Sequence, residues 1–146
     1  MNKELLKILE NFKGKRILVV GDIMWDKYVW GNVSRISPEA PVQIVNVKKE
    51  NYIPGGAANT ANNIAALQGD SYIVGVVGKD NANGLLLDEL KKRDIRVEGI
   101  IEDPKKPTIQ KVRIMAQNQQ LLRIDYEDNS KTVSYTHLTL PTTPYV

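Results

Sequence analysis

The chain has 146 residues, 42% of them apolar and 25% charged, with 20 Lys and Arg against 17 Asp and Glu for a formal net charge of +3; this is an ordinary globular composition, long enough for one core or for part of a larger one. With no Cys, a disulfide framework and a thiolate zinc site are excluded, and since the single His, His137, falls in the tail set apart below, any native metal site would have to be built from oxygen. The basic residues stand singly or in short groups (Lys48-Lys49, Lys91-Lys92-Arg93, Lys105-Lys106) without interleaved aromatics, so nothing points to nucleic acid, and no apolar run approaches the ~18 residues that span a bilayer.

In the opening MNKELLKILENFKGKR, Leu5, Leu6, Ile8, Leu9 and Phe12 recur at three-to-four spacing, which predicts an amphipathic helix stopped near Gly14. Glu4 and Glu10 among its apolar residues exclude a secretory signal, so the cytoplasm is the expected compartment. RILVVGD follows. Its unbroken apolar run from Ile17 to Val20, closed by Gly21, predicts a central strand covered on both faces. Residues 27–53, KYVWGNVSRISPEAPVQIVNVKKENYI, alternate β-formers with turn residues and predict an antiparallel ribbon. PGG then leads into AANTANNIAALQ, an alanine-rich helix. SYIVGVVGKD, residues 71–80, repeats the style of the first strand, and NANGLLLDELKKRD, residues 81–94, reads as a helix that Asp80 is suited to N-cap. A second ribbon is predicted over residues 107–128, PTIQKVRIMAQNQQLLRIDYED. Strand, helix, strand, helix implies a parallel α/β sheet, with the two ribbons inserted into it or appended to it.

Two stretches carry candidate chemistry. In PGGAANTANN, Gly55 and Gly56 permit φ values closed to other residues and let the backbone approach a ligand at a helix N-terminus; the alternative is a tight loop-to-helix turn. Asn59 falls on the first helical turn, where its amide can donate and accept to a hydroxyl, or simply serve as a polar helix-start residue. In GDIMWD, Asp22 and Asp26 follow a buried strand, which places two carboxylates at the carboxyl edge of a parallel sheet, where such folds bind ligands. Each is an acceptor fit for sugar hydroxyls, and each is equally suited to capping a loop. The absence of G-x-G-x-x-G after the strand removes a nicotinamide-type dinucleotide reading.

GDIMWDKYVWGNVSRISPEAPVQIV, PGGAANTANNIAAL, GVVGKDNANGLLLDEL and NQQLLRID, in this order and spacing, closely resemble the N-terminal half of a ribokinase-like (PfkB) sugar kinase. More narrowly they resemble the kinase domain of the heptose 7-phosphate kinase/ADP-heptose synthase enzymes. The resemblance runs from about Leu5 to Asp128, with one departure: Gln68 stands where the family's signature has a small residue, and Gly69 comes one place later.

The resemblance implies an α/β/α core with a β-sheet lid over the sugar, truncated here, with residues 1–132 as the front half of the kinase domain. It places Asp26 at the sugar-hydroxyl acceptor, Gly55 and Gly56 on the hinge beneath the lid, and Asn59 on the polar residue after it; with Asp22 these form the candidate substrate-binding set. It implies ATP and Mg²⁺, with transfer of the γ-phosphoryl group to the anomeric hydroxyl of a heptose 7-phosphate on the route to ADP-activated heptose for surface polysaccharide. A kinase for a different sugar and a non-catalytic sugar-binding module are the alternatives. The implied partners are sugar phosphate, ATP and a second copy of the chain, packed lid to lid over a face carrying Tyr28, Val29, Trp30, Val42, Ile44, Val45 and Val47. For Arg35, Arg113 and Arg123 the resemblance assigns no contact; each is either a phosphate clamp or a solvated strand charge. The family's anion hole and catalytic Asp belong to a Gly-Ala-Gly-Asp-type motif that does not occur in this sequence, so no catalytic residue is assigned and the chain alone is expected to be inactive.

The last fourteen residues, VSYTHLTLPTTPYV, hold the only His and no acid or base. Back-translated in frame, they resemble the transposon end and adaptor of tagmentation sequencing libraries, with Thr132 at the junction and Val146 followed by the adaptor's stop. Residues 133–146 are therefore expected to be non-native and are set apart from the fold.

Overall fold

The computed structural model describes residues 8–128, so the expected non-native tail and the first part of the helix predicted at the N-terminus lie outside the described residues. Residues 8–10 are helical, and Gly14, at φ +68°, ends that segment as expected. The elements that follow are β1 (Arg16–Val20), β2 (Ile23–Ile36), β3 (Gln43–Gly56), α1 (Ala57–Ala66), β4 (Asp70–Gly78), α2 (Asn81–Lys92), β5 (Arg96–Asp103), β6 (Ile109–Ala116) and β7 (Gln119–Tyr126).

They form two sheets. β1, β4 and β5 make a parallel sheet in the order β1-β4-β5, joined by α1 and α2. Alternation along β4 sends Ser71, Ile73, Gly75 and Val77 to the face that both helices cover. There Ile73 and Val77 pack with Ala58 and Ala61 of α1, Leu86 and Leu90 of α2, and Ile95. Leu86 and Leu90 are fully buried, each worth about 1.5 to 3 kcal/mol of transfer free energy.

Two expectations for this sheet are corrected. β1 is not central: among the described strands it lies at the edge, and β4 is the strand with a partner on each side. Nor is β1 covered on both faces, since Leu18 is 62% exposed and Val20 47%. A solid apolar run reports that both faces of a strand are apolar, whereas its cover depends on other elements, and here both helices lie on one side. A shallow apolar depression lined by Leu18, Tyr72, Val74 and Gly99 marks the other side. β5 had no counterpart in the sequence reading, because its apolar residues Val97, Ile100 and Ile101 are interrupted by Glu98 and Gly99. Gly99 is what lets β5 pair there: a Cβ on it would lie 2.6 Å from Val74 Cγ1's twin methyl, Cγ2.

The two ribbons form the second sheet, in the order β3-β2-β6-β7. Each is antiparallel, and a parallel pairing of β2 with β6 joins them into one. The first is longer than its alternation predicted, running from Ile23 to Gly56. Gln117 and Asn118 turn the second, both at positive φ (49° and 62°), the combination that a two-residue hairpin twisted like its strands requires. Trp25 anchors this sheet to the core: it is buried in the helix-covered cluster and its indole N–H donates to the Ala82 carbonyl at 2.9 Å.

A second attachment lies where β4 meets α2. Asp80 caps α2 as expected, accepting from the Asn83 backbone N–H at 2.9 Å. Its carboxylate also accepts from the Thr108 backbone N–H (2.8 Å) and hydroxyl (2.7 Å). The Thr108 hydroxyl in turn accepts from the Gly78 N–H at 3.1 Å. Thr108 is fully buried and immediately precedes β6, so this closed set of hydrogen bonds sets where β6 leaves the core. After α1, the left-handed position is taken by Gln68 (φ 64°), not Gly69. Gly69 is small for a packing reason, since a Cβ there would lie 3.0 Å from both Ile64 Cγ2 and Phe12 Cε1.

Candidate substrate site

The site is built where β1 hands over to β2 and β3 hands over to α1. The Asp22 carbonyl accepts from the Ala57 N–H at 2.8 Å, which closes the crossing of the two connections. Gly56 sits against that same carbonyl at φ +56°, and a Cβ on it would collide with the Asp22 oxygen. Both the conformation and the contact therefore require glycine. At Gly55 the neighbour is a side chain: the Asp26 carboxylate lies across the space a Cβ would take. The sequence placed Asp26 just past the first strand, at the carboxyl edge of the sheet, with a loop cap as the alternative. It is instead within β2, opposite Ile53 of β3, because β2 resumes only two residues after β1 ends.

Asp22, Asp26, Gly55 and Gly56 are thus brought together, with Asp22 contributing its backbone carbonyl while its side chain faces solvent. Asn59 is exposed on the first turn of α1.

Of the three arginines that the sequence left without an assigned contact, Arg113 is the one that reaches the site. Its guanidinium Nη1 donates to the Asp26 carboxylate in a short, charge-assisted hydrogen bond, and weakly to the Lys111 carbonyl at 3.4 Å. The Asp26 hydrogen bond raises the affinity of Arg113 for its proton above the usual guanidinium range. The guanidinium also lies 5.3 Å from the centroid of the Tyr28 ring, which stacks on Trp30 at 6.4 Å and 17°. Arg113 is thereby paired within the lid and is not a solvated strand charge. No local signal pointed to it, since Asp26 and Arg113 are 87 residues apart and meet only through the parallel pairing of β2 with β6.

The remaining charges of β6 and β7 neutralise one another. Lys111 Nζ donates to Asp125 at 3.1 Å and Glu127 at 3.0 Å, and these hydrogen bonds raise its pKa. Arg123 grips both oxygens of Asp125, Nε at 2.9 Å and Nη2 at 3.0 Å. Arg35 lies exposed on β2. Among the described residues no group of three or more His, Cys, Asp or Glu side chains is placed to hold a metal, so no ligand is assigned to Mg²⁺. No helix among them is long and apolar enough to cross a membrane.

A half-covered parallel sheet and a four-stranded lid, with a carboxylate seated against the first of two paired glycines, define a ribokinase-like architecture. Residues 15–138 match the pfkB family carbohydrate kinases, and the chain belongs to that family. The matched stretch ends beyond Thr132 and beyond the described residues. The chain is similar to the bifunctional protein HldE of Helicobacter hepaticus, at 44% identity over 125 residues covering 86% of this chain and 26% of that protein. HldE of Helicobacter pylori strain P12 is 50% identical over 113 residues, covering 77% and 24%. The chain thus spans about a quarter of the length of these curated relatives.

The fold is likewise that of solved kinases. Ribokinase of Arabidopsis thaliana, determined with ribose and ATP, superposes with a TM-score of 0.62 at 22% identity, over 77% of this chain and 36% of that one. Ribokinase of Thermotoga maritima gives 0.57 at 23% identity, over 77% and 36%.

Proposed function

We propose that this chain is the sugar-binding part of an ATP-dependent kinase that phosphorylates the anomeric hydroxyl of a heptose 7-phosphate on the route to ADP-heptose for surface polysaccharide. The observation that carries the reading is the seat of Asp26. A carboxylate pressed onto Gly55, beside the N-terminus of α1, is a fixed acceptor for adjacent sugar hydroxyls, and glycine at position 55 leaves it room. The similarity to HldE proteins supports the heptose class over other sugars. In this reading Asp26 accepts from the sugar, Gly55 and Gly56 form the hinge, Asn59 supplies an amide from the first turn, and Asp22 holds the crossing by its carbonyl.

ATP with Mg²⁺ would supply the phosphoryl group and neutralise its charge. Because the sequence holds no Gly-Ala-Gly-Asp-type motif, we infer that the group which deprotonates the attacking hydroxyl is not on this chain and that the chain alone does not turn over. We also infer a homodimer formed through the lid. Trp30, Val42 and Val47 are exposed on a long ribbon that a partner's lid would cover.

The full-length kinase carrying this chain, given ATP and heptose 7-phosphate, should yield the 1,7-bisphosphate, identified by the anomeric phosphorus resonance. Asp26→Asn should lower kcat/KM for the sugar about ten- to a hundredfold, from the loss of one charge-assisted hydrogen bond, with little change in KM for ATP. Higher kcat/KM for ribose or another unphosphorylated sugar would overturn the heptose assignment.

A further inference from the structure

β2 enters the core only at its start. Ile23 and Trp25 belong to the helix-covered cluster, and no later residue of the strand does. Asp26 is thus the first residue of β2 beyond the core, and Trp25 is its last tether. Two hydrogen bonds hold the short segment between the sheets. The Asp22 carbonyl accepts from the Ala57 N–H at 2.8 Å, which ties its beginning to α1, and the Trp25 indole N–H donates to the Ala82 carbonyl at 2.9 Å, which ties its end to α2. One tie would leave the strand free to pivot, whereas two ties to different helices set its direction.

Alternation puts Trp25 and Asp26 on opposite faces of β2, so an angle imposed on the backbone by the indole is imposed on the carboxylate as well. Trp25 is suited to impose one. Its ring is buried at 4% exposure, with only two side-chain torsions to fix, and it meets the Tyr52 ring edge-on, centroids 5.7 Å apart at 74°. Tyr52 precedes Ile53, the residue of β3 paired with Asp26. The indole therefore braces the backbone next to Asp26 on both strands of the ribbon. A phenyl ring could fill much of the same space, and the N–H is what only the indole supplies.

We propose that Trp25 is a positioning residue for the sugar acceptor: tied to the Ala82 carbonyl, it fixes the angle at which β2 leaves the core and so holds the Asp26 carboxylate over Gly55. The inference rests on the reading of Asp26 as that acceptor. A Trp25 that only filled the core and satisfied its own N–H would affect stability, and would affect use of the two substrates alike.

The test measures kcat/KM for heptose 7-phosphate and KM for ATP in the full-length kinase as wild type, Trp25→Phe, Asp26→Asn and the double variant. Trp25→Phe keeps an aromatic ring and loses the N–H. It should lower kcat/KM for the sugar about three- to tenfold, the range set by one neutral hydrogen bond, and leave KM for ATP unchanged. In the Asp26→Asn background the same substitution should cost less than about twofold, because a residue that acts through Asp26 then has no carboxylate to position. A benzothiophene analogue of tryptophan at position 25, with sulfur in place of the indole N–H, gives the same decision should Trp25→Phe fold poorly. Losses that multiply in the double variant, equal losses toward sugar and ATP, or wild-type kinetics without the N–H would reduce Trp25 to a core residue and overturn the proposal. Wild-type kcat/KM for the sugar in Asp26→Asn alone would instead overturn the reading of Asp26 as the acceptor, a result obtained without touching Trp25.

Discussion

The Asp26 carboxylate is seated on Gly55: one of its oxygens lies 2.6 Å from where a Cβ on that glycine would stand, and Met24 Cγ lies 2.9 Å from the same point. Arg113 restrains that carboxylate from the other side, so Asp26 cannot swing away without losing its partner. Gly55→Ala in the full-length kinase should therefore displace Asp26 and lower kcat/KM for the sugar by about tenfold or more, the cost of weakening one charge-assisted hydrogen bond. KM for ATP should hold. Steady-state kinetics varying each substrate in turn checks this, and an equal rise in both KM values would mean the substitution disturbs the fold generally.

Asp80 should matter to stability rather than to chemistry. Its carboxylate caps α2 and satisfies both polar groups of the buried Thr108. Asp80→Ala removes the cap, worth ~1 kcal/mol, and strands a buried donor, worth about 1 to 3 kcal/mol. Burial by itself would raise the Asp80 pKa, but hydrogen bonds from Thr108 and Asn83 outweigh it and hold the carboxyl below its usual 3.8. A depressed acid stabilises the fold above its unfolded value, and that contribution is lost as the pH falls below 3.8 through the folded value. Urea unfolding should show Asp80→Ala less stable at neutral pH, with the gap to wild type narrowing in that acid window. A constant gap across it would refute the assigned hydrogen bonds.

Gln68 occupies a left-handed position at φ 64° after α1, a conformation that crowds a Cβ against its own backbone at a cost of about 1 kcal/mol. Gln68→Gly should raise the unfolding free energy by a few tenths to about 1 kcal/mol, since glycine's greater freedom in the unfolded chain offsets part of the relief. By contrast Gly69→Ala should destabilise, because its Cβ would meet Ile64 and Phe12 at 3.0 Å. Thermal unfolding of the two variants should shift in opposite directions.

Trp30 is 38% exposed and stacks on Tyr28, while its neighbour Val29 is buried on the opposite face of β2. The apolar residues that the sequence grouped into one face are therefore divided by strand alternation. Val42 and Val47 are more than half exposed. With the lid-to-lid homodimer proposed above, Trp30→Asp should give folded monomers, and Val29→Asp should give unfolded protein. Light scattering with circular dichroism separates these outcomes, and a wild-type parent that is monomeric at micromolar concentration would end the dimer proposal.

What was legible in the sequence is what local chemistry dictates. The glycine pair before an alanine-rich helix, the Asp80 cap and the alternation of the two ribbons each depend on residues within a few positions of one another, and each stands in the fold where it was read. The motif string from GDIMWD to NQQLLRID was equally legible, because order and spacing survive without coordinates. Position within a sheet was not. β1 read as central because apolar residues show which faces resist water and not which are covered, and β5 went unread because Glu98 and Gly99 break its apolar run. Nor could spacing tell that β2 begins immediately after Asp22 and carries Asp26 on a strand of the second sheet. The pairing of Asp26 with Arg113 lies furthest from the sequence: it spans 87 residues and exists only because β2 and β6 run parallel in register, setting Tyr28 opposite Arg113 and bringing a carboxylate and a guanidinium, each unremarkable alone, within one hydrogen bond.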